Sequence, residues 1–150
     1  TTSNVRIFHL TPAQDCKYIT YASFAKDLAV MPNILIVDDH FDTCDTLRRL
    51  FQRSGWSAAC LTDASEAPER LHHFHADVVL LDVMMPDMDG FGVLAAIRAD
   101  PQIARTPVIM YSALSDEKTR HRAEAAGASD YVVKGTPFSQ IEECVSGYVS

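Results

Sequence analysis

Several features that mark membrane, secreted or nucleic-acid-binding proteins are scarce or missing in this sequence. It has 13 basic residues against 20 acidic ones and a net charge of -7, so it lacks the basic face with which a general nucleic-acid binder neutralises phosphates. No apolar run approaches the roughly 18 residues of a membrane span, and polar residues interrupt the N-terminus where a signal peptide would be apolar. We therefore expect a cytoplasmic protein in which this segment binds neither nucleic acid nor membranes directly.

Cysteine is also sparse, and its spacing carries no metal or redox motif. The four cysteines are Cys16, Cys44, Cys60 and Cys144, and none forms a C-x-x-C pair. Disulfide scaffolds are typical of much smaller secreted domains. The pattern predicts four reduced thiols.

Length and composition fit one globular domain with an N-terminal extension. The chain has 150 residues, of which 47% are hydrophobic, enough for a core. A short strand pattern at 5–10 and a loosely helical pattern after Pro12 end at Met31-Pro32. We expect 32–150 to be one domain. We expect 1–31 to be an extension or linker, either docked on the domain or a second copy, or left from an upstream segment; a first residue other than Met fits a longer parent protein.

From residue 33 onward, short apolar runs alternate with segments of helical spacing. The runs at 33–38, 56–61, 77–82, 107–111 and 130–133 are typical of strands buried on both faces. Apolar residues at helical spacing predict helices at 43–53, 65–74, 91–99, 116–126 and 139–148. The alternation predicts a doubly wound α/β fold, in which a parallel sheet carries helices on both faces.

Polar residues follow four of the predicted strands, where the strands end. Asp38 and Asp39 follow the first strand, Asp82 ends the third, Ser112 follows the fourth and Lys134 follows the fifth. The carboxyl ends of parallel strands meet at one edge of a sheet, so we expect these side chains to share one crevice.

The residue types in this crevice suit phosphoryl chemistry. Three carboxylates repel one another unless a proton or cation compensates them, and carboxylate oxygens suit Mg²⁺. An Asp beside a metal can accept a phosphoryl group. Lys134 can pair with a phosphoryl oxygen, and Ser112 can donate a hydrogen bond to another.

At these positions the sequence resembles the receiver domains of two-component response regulators, from Pro32 to about Tyr148. The matching motifs are the acidic pair Asp38-Asp39, the run DVMMPDMDG that begins at Asp82, the step Tyr111-Ser112-Ala113, and Lys134. The resemblance implies a flavodoxin-like three-layer α/β/α fold whose five strands have the order 2-1-3-4-5. It also implies a signalling switch with self-catalysed phosphorylation and dephosphorylation, not an enzyme with turnover.

The resemblance assigns a role to each site residue. Asp82 would accept the phosphoryl group. Asp38, Asp39 and Asp82, with the main-chain carbonyl of Met84, would hold Mg²⁺.

The remaining roles concern the switch and its partners. Ser112 would be the switch hydroxyl, Tyr131 the aromatic switch residue, and Lys134 the contact to the phosphoryl group. The implied partner is a sensor histidine kinase or a histidine phosphotransfer protein, and the readout face is helix four, strand five and helix five. The resemblance also allows a downstream protein partner, a fused output domain and a homodimer; the chain itself ends after the last helix, which suggests a stand-alone relay or part of a larger regulator.

Two departures from the family pattern bear on this interpretation. Receiver domains usually have Lys-Pro with a cis peptide bond, whereas here Lys134 is followed by Gly135 and a trans bond is predicted. Apolar Met84 and Leu114 occupy the two positions that tune phosphoryl lifetime in the family, so we expect slow self-dephosphorylation.

Two other functions remain as alternatives. The changed loop after Lys134 would suit a pseudo-receiver, an interaction module without a phosphate cycle. A Mg²⁺-dependent phosphohydrolase with an Asp nucleophile is less favoured, because its usual second Asp is replaced by Met84 after Asp82 and by His40 after Asp38.

Overall fold

The computed structural model of the protein describes residues 30–149. Strands and α helices alternate along these residues. The strands are β1 (Asn33–Val37), β2 (Ser57–Leu61), β3 (Val78–Asp82), β4 (Val108–Ser112) and β5 (Asp130–Val133). The helices are α1 (Phe41–Arg53), α2 (Ala67–Phe74), α3 (Gly90–Ala99), α4 (Glu117–Ala125) and α5 (Phe138–Ser146). The strand and helix patterns before Met31 lie outside the described residues.

The five strands form one parallel sheet in the order β2-β1-β3-β4-β5, which confirms the predicted α/β fold and strand order. β1 lies between β2 and β3, and its Leu35 pairs with Ala59 on one side and Val79 on the other. The chain passes from β1 to β2 on one side and then crosses to β3 on the other side of β1, so the strand order reverses between β1 and β3. In an open α/β sheet, this reversal point opens a crevice at the carboxyl ends of the strands.

Helices cover both faces of the sheet because alternate strand residues point to opposite faces. One face packs against α2, α3 and α4, and its core includes Leu35, Val79, Leu81, Met110, Leu71, Leu94, Ile97 and Ala123. The other face packs against α1 and α5, and its core includes Ile34, Ile36, Leu80, Ile109, Leu47, Phe51, Ile141 and Val145. The three-layer arrangement expected from the family resemblance is thus present, and the central strands are apolar because both faces are covered.

Aspartates at the ends of loops set the starts of several helices. Asp89 caps α3 by accepting a hydrogen bond from the amide of Phe91, and Asp116 caps α4 by accepting one from Thr119. The predicted helix at 65–74 is divided, since a 3-10 turn at Ala64–Glu66 precedes α2. None of the helices in residues 30–149 is long and apolar enough to cross a membrane.

The cysteines correct one prediction. Cys44 on α1 and Cys60 on β2 are joined by a disulfide, so the prediction of four reduced thiols is wrong for this pair. The packing of α1 against the sheet places their Cα atoms 5.7 Å apart although they are 16 residues apart in the sequence, and such a spacing carries no local signal. Cys144 is a free thiol, and Cys16 lies outside the described residues.

Candidate functional site

Polar side chains from β1, β3 and β4 are buried together at the carboxyl edge of the sheet. Asp38, Asp82 and Ser112 are 1%, 2% and 0% exposed, in a core that is otherwise apolar. Each follows or ends a buried strand, so the parallel topology alone brings them to one edge. Buried carboxylates are costly unless they are compensated, and this cost makes the crevice a candidate functional site.

Lys134, at the end of β5, supplies the compensating charge. Its Nζ lies 3.1 Å from Oδ2 of Asp38 and 3.2 Å from Oδ2 of Asp82. The contact to Asp38 is a hydrogen bond, whereas the contact to Asp82 is an ion pair without hydrogen-bond alignment. The Lys134 amide also donates to the carbonyl of Ser112 at 2.7 Å, which fixes the start of the loop.

The loop after Lys134 places the lysine ammonium beside Asp38 and Asp82 without a proline at position 135. The Lys134-Gly135 peptide bond is trans, as predicted. Gly135 has φ +95°, a left-handed conformation that glycine adopts without strain. The departure from the Lys-Pro pattern therefore leaves the lysine ammonium between the two buried carboxylates.

The electrostatics of the crevice raise the pKa of both partners of this ion pair. Burial is the main cause of the raised pKa of Asp82, and the charge of Asp38 adds to it, while Lys134 opposes the rise. Burial alone would lower the pKa of Lys134, but the hydrogen bond and charges of Asp38 and Asp82 outweigh it. Lys134 is consequently a cation at neutral pH, whereas the Asp82 anion is held at a cost that a further cation would relieve.

Two carboxylate oxygens in the crevice lack hydrogen bonds and suit a cation. Four residues each offer one ligand atom to a common ion. Asp38, Asp39 and Asp82 offer a carboxylate oxygen and His40 offers a ring nitrogen, and these atoms all lie within 4.8 Å of one another. Oδ1 of Asp38 accepts from the His40 amide and Oδ1 of Asp82 from the Met84 amide. Oδ1 of Asp39 and Oδ2 of Asp82 are buried without a hydrogen bond. Oxygen donors of this kind match the preference of Mg²⁺.

His40 is the residue that the sequence argument did not place in the site. Its Nδ1 lies 3.3 Å from Oδ1 of Asp39 and 3.5 Å from Oδ1 of Asp38, with the side chain largely exposed. Its position directly after the acidic pair was the available signal.

A short hydrogen-bonded path joins Ser112 to Tyr131. The Oγ of Ser112 accepts a hydrogen bond from the amide of Leu114 at 3.1 Å. The carbonyl of Leu114 accepts a hydrogen bond from the hydroxyl of half-buried Tyr131 at 2.7 Å. Both predicted switch residues therefore bind the backbone of Leu114, Ser112 at its amide and Tyr131 at its carbonyl. These bonds link the two residues only through Leu114.

The loop between Asp82 and α3 is anchored by Gly90. Its amide donates to the carbonyl of Val83 at 3.0 Å. A Cβ at this position would overlap the carbonyl oxygen of Asp82 and lie 2.9 Å from the Cα of Val83. The glycine in the DVMMPDMDG run therefore serves a close approach between the start of α3 and the end of β3.

Comparison with known proteins decides the family. A family model described as the response regulator receiver domain matches residues 34–146. The chain belongs to this family. The "probable transcriptional regulator ycf27" of Guillardia theta is 40% identical over 116 residues, covering 77% of this chain and 44% of that protein. The transcriptional regulatory protein GltR of Pseudomonas aeruginosa is 36% identical over 110 residues, covering 73% of this chain and 45% of that protein.

Solved structures give the same result. Chemotaxis protein CheY4 of Vibrio cholerae superposes with a TM-score of 0.76 and 25% identity, covering 80% of this chain and 100% of that one. The receiver domain of the Francisella response regulator 1452 superposes with a TM-score of 0.72 and 27% identity, over 78% and 95% of the two chains. This chain spans less than half the length of the two curated relatives named above.

Proposed function

We propose that this receiver domain is a phosphorylation-dependent switch in which Asp82 accepts a phosphoryl group from a histidine kinase or a histidine phosphotransfer protein. The observation that carries the proposal is the buried Asp82 carboxylate, which has one oxygen free of hydrogen bonds and lies 3.2 Å from the ammonium of Lys134. In the transfer, an Asp82 oxygen bonds to phosphorus while the bond from phosphorus to the donor histidine nitrogen breaks. The nitrogen keeps the electron pair. A small acyl phosphate could serve as donor in the same way, with a carboxylate as the leaving group.

The acidic pocket is proposed to hold Mg²⁺ through Asp38, Asp39 and Asp82, with the main-chain carbonyl of Met84. The ion would neutralise charge on the incoming phosphoryl group. The chain's own contribution is the arrangement of charges: Lys134 would exchange its contact with Asp82 for one with a phosphoryl oxygen. Transfer of this kind depends on positioning and charge neutralisation more than on proton transfer.

The hydroxyl of Ser112 is proposed to carry the signal away from Asp82. If Ser112 turned toward a phosphoryl oxygen, its Oγ would release or weaken the bond to the Leu114 amide. Leu114 also accepts from Tyr131 on β5, so the loop and the β5 ring would respond together. Phosphorylation would then bias a pre-existing equilibrium at the face formed by α4, β5 and α5.

The partner and the place of the domain in a longer protein are further parts of the proposal. A groove beside the site lies between α1 and α5 and is lined by Thr46, Leu50, Gly135 and Phe138 among others, and we propose it as the surface that a phosphodonor protein contacts.

GltR is named a transcriptional regulatory protein, so a fused output domain is one proposed context. We further propose 32–150 as the receiver domain, 1–31 as an extension or linker, and the cytoplasm as its location.

The decisive experiment is the intact mass of the protein after incubation with acetyl phosphate, with and without Mg²⁺. One phosphoryl group should be added to the wild type only when Mg²⁺ is present. The matched control is Asp82→Asn, which keeps the size of the side chain but removes the nucleophile and should gain no mass. Absence of an adduct, together with absence of a beryllofluoride complex, would contradict the proposal and favour a pseudo-receiver.

A further inference from the structure

Cys44 and Cys60 are not among the residues of the proposed phosphorylation site. Cys44 is on α1 and is fully buried, and Cys60 is on the edge strand β2 and is partly exposed. Their Cα atoms are 5.7 Å apart, within the range that a disulfide bridges without backbone movement. Both side chains belong to the core between the sheet and α1.

The site accommodates the reduced form of the pair as well as the disulfide. Sγ of Cys44 lies 3.4 Å from the carbonyl oxygen of Ile36 and 3.9 Å from that of Leu61. In the reduced state these oxygens are acceptors for the thiol hydrogen. Neither redox state therefore leaves the buried sulfur of Cys44 without a partner.

The backbone at or next to each cysteine forms a hydrogen bond with the acidic segment, residues 38–40. The amide of Cys44 donates to the carbonyl of His40 at 3.0 Å. The residue after Cys60 is Leu61, whose carbonyl accepts from the amide of Asp38 at 3.1 Å. The bond between the two sulfurs ties α1 to β2. The backbone next to the two cysteines holds the two ends of residues 38–40, Asp38 from the β2 side and His40 from the α1 side.

We propose that Cys44 and Cys60 are a redox modification site at which hydrogen peroxide closes a disulfide between α1 and β2. Two thiols lose two electrons and two protons, one sulfur-sulfur bond forms, and one peroxide is reduced to two waters. Cys60 is the sulfur that the oxidant reaches first, because Cys44 is fully buried. The closed form restrains the acidic segment, and this proposal does not depend on phosphorylation of Asp82.

The test uses the full chain with Cys16→Ser and Cys144→Ser, so that only the pair remains. The protein is reduced, treated with hydrogen peroxide, unfolded in urea and alkylated with iodoacetamide before its intact mass is measured. The reduced sample should gain two alkyl groups and the oxidised sample none, as a monomer. The oxidised sample should also melt higher by roughly 10 °C, because the bond restricts the unfolded chain.

Two variants separate a specific disulfide from other oxidation. Cys44→Ala and Cys60→Ala, made in the same background, should each fail to lose the two hydrogens of disulfide closure and should show no rise in melting temperature with peroxide. Amide exchange at Asp38 and His40 should slow on oxidation only when both cysteines are present. Two alkyl groups on the peroxide-treated pair, or a disulfide-linked dimer in place of the closed monomer, would overturn the proposal.

Discussion

Gly90 and Asp82 approach so closely that the backbone of Asp82 leaves no room for a side chain at position 90. A Cβ on Gly90 would overlap the Asp82 carbonyl oxygen and lie 2.9 Å from the Cα of Val83. Both of these neighbours are backbone atoms at the end of a central strand, which cannot shift without moving the Asp82 side chain. The start of α3 therefore determines where the proposed phosphoacceptor lies.

Gly90→Ala should lower the free energy of unfolding by about 1–3 kcal/mol, the usual cost of overpacking, and should reduce phosphorylation by acetyl phosphate. Gly92→Ala is the matched control on the same helix, because its Cβ would meet only the Met88 side chain at 3.7 Å. That variant should be neutral or more stable, since alanine favours helix more than glycine does. Equal stability losses in urea denaturation of the two variants would contradict this account.

Lys134→Gln should destabilise the domain because it leaves Asp38 and Asp82 buried without their cation. We expect a loss of roughly 1–3 kcal/mol at pH 7, smaller than for a fully buried ion pair because Lys134 is partly exposed. The control is Lys118→Gln on the exposed face of α4, which should change stability little. Urea denaturation in metal-free buffer measures both.

The same pair predicts a pH dependence. The raised pKa of Lys134 means that its stabilising charge is fully present below the unfolded pKa of lysine and is lost only as pH rises through the folded value. The raised pKa of Asp82 means that the folded state holds this proton more tightly than the unfolded state does, so lowering the pH toward that pKa stabilises the fold. The stability gap between wild type and Lys134→Gln should therefore narrow from pH 7.5 to pH 5. A gap that widens toward pH 5 would show that charge is not the cause.

Much of this site follows from residue types and strand order. The buried runs before Asp38 and Asp82 could be recognised because a strand covered on both faces is apolar throughout, and parallel topology then places their ends together. The Cys44–Cys60 pair could not be predicted, because it depends on how α1 lies across β2 and leaves no periodic pattern. The contact between His40 and the acids is likewise set by side-chain orientation just before α1, where His40 is the N-cap residue, and the alternation of elements does not determine it.

Tyr131→Phe should loosen the loop at Leu114 without a large loss of stability. The variant removes the hydrogen bond from the Tyr131 hydroxyl to the Leu114 carbonyl, worth about 1 kcal/mol, and should speed amide exchange at Leu114. Tyr148→Phe is the matched control, because it removes hydroxyl hydrogen bonds to Ser129 and Asp130 elsewhere in the fold. If Leu114 exchanges at the wild-type rate in Tyr131→Phe, the proposed coupling between Ser112 and Tyr131 through Leu114 is absent.

Cys144 should react slowly with iodoacetamide in the folded protein. Burial, followed by the hydrogen bond and charge of Asp130, raises the pKa of its thiol to about 11. At pH 8 the thiolate fraction, and with it the alkylation rate, should fall by on the order of a hundredfold relative to the unfolded chain. Mass spectrometry of the Cys144 peptide with and without urea measures this ratio, and a ratio near one would mean that the thiol has an ordinary pKa.

The lifetime of the proposed aspartyl phosphate offers a test of the two apolar residues beside the site. Met84 and Leu114 are 58% and 38% exposed, and their amides donate to the side chains of Asp82 and Ser112. An apolar side chain at either position cannot hold a water molecule against the acyl phosphate, so self-dephosphorylation should be slow. Met84→Asn should shorten the half-life several-fold in a mass-spectrometric time course. Met88→Asn, in the same loop, is the control and should leave it unchanged. A wild-type half-life of only seconds would show that these side chains do not exclude water.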